Sequence, residues 1–396
     1  MDLLGILNFI LSVAIGLLIL VVLVVLHELG HALVARRNGV VVEEFGVGFP
    51  PQAKAWKLKE SFLGKNVLYT LNWLPLGGFV KLQGENDAAT KKGDYGAANL
   101  WVKTKILLAG VAVNWITAAV LLSILALFGL PKIIPNQFQV TSDTTIQRQP
   151  VLIGSLSDDS PAKTAGLQVG DELLRFAEVP LDDPSQLSEL SKENQGQTVN
   201  VVVVREGVNT TVPVTLRADN SDGKGYLGVV ASQSQRTTYR STWSAPVVGV
   251  VLTGQFTTYT LSSLGDMAVQ FVSGIANKLS FNSENREAGG KQLEAVSDNV
   301  GGPIAILGTL FPSARADGLA SLVLVSALVS LTLAVMNILP IPALDGGRWF
   351  VTMLYRVILR KPLTKETEEK IHGTGFLVLL GLIVLITIAD IGKLVG

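Results

Sequence analysis

The 396-residue chain is 48% hydrophobic and 16% charged, where a typical soluble domain is about 25% charged, so it reads as an integral membrane protein with room for one soluble module. Its 32 basic residues balance 32 acidic ones, which gives no sign of a nucleic-acid partner. With no cysteine in the sequence, there is no disulfide framework and any metal site must use nitrogen and oxygen ligands.

Residues 6–26 form a run of 21 without a charge, about the 20 needed to cross a hydrocarbon core of roughly 30 Å. The run has no basic n-region and no small-residue cleavage site, so residues 6–35 are expected as a retained transmembrane helix, not a signal peptide. At its end stands His27-Glu28-Leu29-Gly30-His31. On a helix the two histidines share one face, where both imidazoles can reach a single zinc ion while Glu28 points at the metal's open position. At ordinary residue usage such a triplet arises by accident about once in a hundred chains of this length. The plain alternative is a pair of histidines satisfied by hydrogen bonds, although ionisable groups at membrane depth are functional as a rule.

Residues 36–105 carry eleven Lys or Arg against six acids, which places this loop on the cytoplasmic side by the positive-inside rule. His27 and His31 then lie at the cytoplasmic end of the first helix, with both chain termini outside. Residues 40–49 and 66–82 alternate apolar and polar side chains between Gly and Pro turns, the pattern of short strands. The segment 76–81, with Gly77, Gly78 and Phe79, offers either an open edge that an extended peptide can join or a membrane-surface hairpin with no ligand. A second span is expected over 106–130. It contains Asn114, which should face the bundle, an interhelical hydrogen bond being favoured over a substrate contact.

Residues 131–240 read as soluble α/β material. The run Ser160-Pro161-Ala162-Lys163-Thr164-Ala165-Gly166-Leu167-Gln168-Val169-Gly170-Asp171 resembles the most distinctive stretch of bacterial PDZ domains, a short helix, a glycine turn and a strand. Strand-like pieces at 198–205, 210–216 and 226–230 complete a core of about 150–232. The resemblance implies capture of an extended peptide or chain end by strand addition; a spacer or steric cover is the other reading. Residues 245–252 and 301–311 are apolar but too short to span, and are expected as helices at the outer interface. The polar stretch 282–299, with Gly289-Gly290, is expected as a mobile loop. Two further spans are expected over 319–339 and 373–389.

A catalytic zinc needs three protein ligands and one open position. The residue six after His31 is Arg37, and no glutamate stands about twenty residues on, so neither of two common arrangements is present nearby. Candidates are His372 and the acids of the cytoplasmic loops. Asp345 is the most suggestive, because in Asn337-Ile338-Leu339-Pro340-Ile341-Pro342-Ala343-Leu344-Asp345-Gly346-Gly347 two prolines stop the third helix and two glycines permit a tight turn.

The His-Glu-Leu-Gly-His pentad, the Asn-x-x-Pro-x-Pro-x-Leu-Asp-Gly element and the PDZ-like run together resemble the site-2 protease family of intramembrane zinc metalloproteases. More narrowly, the chain is similar to the bacterial regulator-of-sigma-E protease branch, here with one PDZ domain. The resemblance implies one zinc ion per chain held by His27, His31 and Asp345, with Glu28 as catalytic base. It implies that Asn337 helps position substrate or the developing oxyanion, and that the region of Gly77, Gly78 and Phe79 holds substrate as a strand. Residues 109–114 are similar to the family's Ala-Gly-Pro-x-x-Asn, with Val111 in the place of proline; Asn114 completes the candidate substrate-binding residues.

The expected fold class is an α-helical polytopic membrane protein with about four transmembrane helices, a membrane-associated β-hairpin or sheet at about 40–82, and an inserted α/β PDZ domain. The expected plan is 1–130 for the first two spans and the β region, 131–240 for the PDZ domain, 241–318 for outer-face helices and a loop, and 319–396 for the last two spans. Expected partners are transmembrane substrates already trimmed by another protease, such as anti-sigma factors or remnant signal peptides, an extended peptide at the PDZ domain, and the lipid bilayer. The expected location is the bacterial inner membrane, with the PDZ domain outside and the active site near the cytoplasmic face. The competing class is a non-catalytic PDZ scaffold, which predicts no bound zinc.

Overall fold

The computed structural model describes residues 3–134, 136–147, 151–181, 184–205, 207–220, 224–233, 238–299 and 301–395. In chain order, α1 (Leu3–Arg37) leads into the long strands β1 (Val42–Ser61) and β2 (Gly64–Leu82), followed by α2 (Leu100–Phe128). Next come β3 (Leu130–Pro131), β4 (Thr145–Gln147), β5 (Val151–Leu156), α3 (Pro161–Thr164), β6 (Glu172–Phe176) and β7 (Val179–Pro180). The middle third ends with α4 (Pro184–Glu193), β8 (Thr198–Arg205), β9 (Val208–Thr215), β10 (Val229–Gln233) and β11 (Thr238–Arg240). The remainder is helical. It comprises α5 (Ala245–Lys278), α6 (Ser283–Asn299), α7 (Pro303–Ala305), which continues through a π-helical turn at Ile306–Leu310 into α8 (Phe311–Ala316), and α9 (Leu319–Ile338). Last are α10 (Asp345–Met353), with a second π-helical turn at Leu354–Ile358, and α11 (Lys365–Val395).

The chain forms two compact units, Met1–Ile124 with Gly249–Gly396, and Leu125–Val248. In the first unit four helices among the described residues are long and apolar enough to cross a membrane: Leu3–Arg37, Leu100–Phe128, Leu319–Ile338 and Lys365–Gly392. The fourth begins at Lys365, eight residues earlier than expected, so His372 lies inside the helix and not at its start.

The strands β1 and β2 extend past the expected bounds, because residues 52–61 pair back on 64–72. Each strand breaks its register, near Pro50-Pro51 in β1 and Pro75 in β2, where proline supplies no ladder donor. Four runs therefore lie side by side. The 78–82 run flanks 42–47, with Val47 opposite Gly78, and leaves its other side at the edge of the sheet. Val40, Val42, Leu63 and Val67 bury against Ala32, Ala35 and Ile106, which seats the sheet on the end of α1.

Three expectations for the helical remainder of the chain are corrected. Residues 245–252 do not form a short interfacial helix; they open the 34-residue α5. Val248, Leu252 and Phe256 bury at four-residue spacing and hold the segment helical, and the Thr253, Thr257 and Thr258 hydroxyls are satisfied within the helix, donating to the carbonyls of Gly249, Thr253 and Gly254. Residues 283–299 form α6 in place of a loop. Asn282 Oδ1 accepts from the Glu284 N–H at its start, and Gly289 lies where a Cβ would sit 2.7 Å from the Gly274 carbonyl oxygen. The glycine pair read as loop is a packing surface. The segment expected as an interfacial helix at 301–311 packs instead on α1, with Phe311 fully buried over Gly16 and Arg315 donating to Asn8 O and Ser12 Oγ.

A buried charge network ties the loop after β2 to three helices. Lys103 of α2, 0% exposed, donates to Asp87 Oδ1 and to the Gly96 carbonyl. Arg356 Nε donates to Asp87 Oδ2 at 2.7 Å, and Glu368 of α11 accepts from the Asp87 N–H at 2.7 Å. Arg348 of α10 donates to Glu85 Oε1 at 2.8 Å and faces the Tyr95 ring. Removing one member would strand a charge in a low-dielectric setting, so each holds the others in place.

In the second unit the sheet order is β10-β5-β6-β8-β9, all antiparallel, with β7 on β6. Its core gathers Val151, Ile153, Leu173, Phe176, Val201 and Val214. The Ser160–Asp171 run forms the expected short helix, turn and strand start. Ser160 Oγ accepts from the Lys163 N–H and Pro161 occupies the first helical position. Of the expected core at 150–232, residues 150, 182–183, 206 and 221–223 lie outside the described residues.

Asp171, 3% exposed, receives two hydrogen bonds from Arg205, at 2.7 and 2.6 Å, and one from the Gln168 N–H at 2.8 Å. The Arg205 bonds hold its carboxyl below the usual carboxylate range, against the opposing effect of burial and with help from Gln168. Asp171→Asn is expected to destabilise this unit by about 1–3 kcal/mol at neutral pH, read by hydrogen exchange over residues 151–233 of the full chain. Because the folded-state pKa lies below the unfolded one, the contribution is complete above about pH 5 and is lost as pH falls through the folded value. Wild type and variant should converge in acid; a constant gap down to pH 2 would refute the pairing.

Candidate metal centre

The last turns of α1 carry His27, Gly30 and His31 on one buried face, against Ile106, Ala109, Gly110 and Asn114 of α2. His31 Nδ1 lies 2.7 Å from the Ile106 carbonyl oxygen. A carbonyl only accepts, so this nitrogen carries the proton and Nε2 presents its lone pair. Nε2 faces His27 Nε2 at 3.0 Å and Asp345 Oδ2 at 3.2 Å, and His27 Nε2 lies 3.0 Å from the same carboxylate oxygen.

On the far side of His27, the Asn114 side-chain amide lies 3.3 Å from Nδ1, while Asn114 Oδ1 has no partner among the described residues. Amide nitrogen and oxygen are assigned from the hydrogen-bond network. Turned end for end, Oδ1 accepts from His27 Nδ1–H, which satisfies the orphan and aims the His27 lone pair at the same point. Two lone pairs and a carboxylate oxygen then converge, a set that a bound cation relieves. Mutual spacings of 3.0–3.2 Å approach the roughly 3.3 Å between tetrahedral ligands at bond lengths of about 2.0–2.1 Å. The donor set of two imidazoles and one carboxylate fits zinc.

Close backbone approach builds this centre. At Gly110 a Cβ would lie 2.4 Å from His31 Nε2 and 2.6 Å from His27 Nε2, so only glycine leaves room. Asp345 opens α10 after the extended Leu344. At Gly346 a Cβ would lie 2.2 Å from the Ile338 carbonyl oxygen, and at Gly347 2.0 Å from that of Ile341. The two glycines let the turn fold tightly onto the end of α9 and point the carboxylate at α1.

Glu28, on the adjoining face of α1, accepts from the Val80 N–H at 3.0 Å, on the edge run of β2. A cavity of about 190 Å³ beside it is lined by His27, Glu28, Asn114, Asn337 and the Ala343–Asp345 turn, with Val24 and Leu333 as its apolar walls. Gly77 and Gly78 are buried against Val24 and Val25, and Gly78 also approaches Glu28. The Phe79 ring lies over Gly46, away from this cavity's lining. His372, the weaker candidate for third ligand, is outside the converging set. Sequence reasoning missed Gly110 and the pairing of Asn114 with His27. The four-residue repeat of 106, 110 and 114 places them on one face of α2, but the spacing does not say which helix that face meets.

The sequence profile of peptidase family M50 matches residues 15–382. The chain belongs to peptidase family M50. Among relatives of this M50 chain, a candidate zinc metalloprotease of Campylobacter jejuni is 29% identical over 386 residues, covering 96% of this chain and 93% of the relative. The regulator of sigma-W protease of Bacillus subtilis is 25% identical, covering 94% and 96%. A zinc metalloprotease of Geobacillus kaustophilus is 24% identical, covering 94% and 95%. With four long apolar helices among the described residues, this M50 member is a multi-pass membrane protein.

Proposed function

We propose that the protein is an intramembrane zinc metalloendopeptidase that hydrolyses peptide bonds in or near the transmembrane segments of other membrane proteins. The observation that carries this reading is the convergence of His27, His31 and Asp345 on one point beside Glu28 and a strand edge. Zinc, held by those three residues, would supply Lewis acidity to the attacking water and the scissile carbonyl. Glu28 takes the proton from that water and returns it to the leaving nitrogen. Asn114 keeps His27 in the ligating tautomer, and Asn337, on the cavity wall, is placed to hold the substrate carbonyl.

A helix hides its amide bonds, so a transmembrane substrate must unwind before cleavage, and a sheet edge offers replacement partners for the freed backbone. The 78–82 run is such an edge. The basic balance of residues 36–105 supports a cytoplasmic site, with the second unit and both termini outside a bacterial inner membrane. That unit reads as a PDZ domain. A cavity of about 430 Å³ between α4 and β10 is lined by Leu187, Ser188, Tyr226, Leu227, Gly228 and Val229, and β10 is an edge strand, which supports binding of an extended peptide. The name of the Bacillus subtilis relative supports anti-sigma factors as one substrate class, and remnant signal peptides are chemically equivalent.

Metal removal tests the reading. Phenanthroline treatment of the purified protein should abolish cleavage of a transmembrane peptide, and Zn²⁺ should restore it. Undiminished cleavage by zinc-free protein would overturn the proposal.

A further inference from the structure

His372 of α11 contacts the turn that carries Asp345. The Ala343 N–H donates to His372 Nδ1 at 3.3 Å. Accepting there fixes the tautomer with the proton on Nε2, a buried atom with no partner among the described residues. One helical turn on, Gly375 meets the same segment: a Cβ there would lie 2.4 Å from Pro342 Cβ and 2.7 Å from its carbonyl oxygen. Residues 372 and 375 share a face of α11, so the helix grips Pro342 and Ala343 at two points.

The gripped residue holds an unusual backbone. Ala343 has φ +81°, in the left-handed region that L side chains adopt rarely. Two residues later Asp345 begins α10, so the torsion at 343 sets the direction in which the carboxylate leaves the turn. The same residues form a partition. Ala343, Leu344 and Asp345 line both the 190 Å³ cavity at Glu28 and a second cavity of about 450 Å³ on the side of His372, Glu85 and Glu368.

We infer that His372 is a positioning residue for the metal ligand: by holding Ala343 in the left-handed backbone it places Asp345 Oδ2 against His27 and His31. The inference rests on the zinc reading above. His372 touches neither the converging atoms nor Glu28; it acts through the backbone of the turn.

The test uses the full-length protein in detergent and reads three quantities: the Zn²⁺ Kd by competition with a chromophoric chelator, the visible spectrum of Co²⁺-loaded protein, and thermal unfolding without metal. His372→Leu removes the acceptor, and His372→Asn keeps one at the place of Nδ1. His372→Gln puts its acceptor at the place of Nε2 and serves as the ungripped variant if the leucine form does not accumulate. His372→Leu or Gln should raise the Zn²⁺ Kd about tenfold or more and shift the Co²⁺ spectrum. His372→Asn should restore both. Ala343→Gly, added to His372→Leu, should recover most of the affinity, because glycine holds a positive φ without a grip. A Kd and spectrum unchanged in His372→Leu and Gln would overturn the inference while leaving the zinc site intact. Loss that neither Asn nor Ala343→Gly recovers would also overturn it, as general loosening of α11. Wild-type protein that binds no Zn²⁺ would overturn the metal-site reading and the inference together.

Discussion

Glu28→Gln should leave zinc affinity within a few-fold of wild type and lower the cleavage rate by about 10²–10⁴. Gln keeps the length of the side chain, and its amide oxygen can still accept from the Val80 N–H, so the strand edge stays where it is. The three converging ligands are untouched. What disappears is a group able to take a proton from water and return it to the leaving nitrogen. Zinc content and turnover of a transmembrane peptide, measured on the same preparation, separate the two effects. A variant that cleaves at the wild-type rate refutes Glu28 as base, and one that has lost its zinc shows that the carboxylate supports the metal instead.

Gly110→Ala should weaken metal binding without harming the fold. Alanine is the better helix former by about 1 kcal/mol, and α2 gives no other reason to object to it. The added Cβ would nevertheless lie 2.4 Å from His31 Nε2 and 2.6 Å from His27 Nε2, in the space where the two ligands meet. The imidazoles must turn away, and the expected rise in zinc Kd is about 10–100-fold, with activity falling in step. Gly381→Ala on α11, where a Cβ meets nothing within 4 Å, is the matched control and should leave both unchanged. A wild-type zinc Kd in Gly110→Ala would refute the close packing of α2 on the metal centre.

The four spans were legible because each is a long uncharged run, and two motifs more than three hundred residues apart marked both halves of the centre. Asp345 could be singled out because prolines and glycines around it announce a turn. The helices α5 and α6 were not legible. Thr253, Gly254 and Thr258 interrupt the apolar pattern, and Gly289-Gly290 mimics a loop; buried apolar residues hold α5 helical, and close packing at Gly289 does so for α6. Asn114 was read as an interhelical partner, but its partner was out of reach, since no periodicity reveals which residue lies across a helix interface. His372 drew attention as a ligand only because imidazole is a common one; the backbone torsion it contacts has no signature in composition.

The charge network around Asp87 imposes an order in time. Glu368, which accepts from the Asp87 N–H, belongs to α11, which is synthesised after α1, α2 and α10. Until that helix arrives, Asp87 lacks one of its partners, Ala343 has no acceptor at His372, and the turn bearing Asp345 is held from one side only. A chain made only as far as α10 therefore lacks these contacts to the Asp345 turn, and they form only when α11 docks.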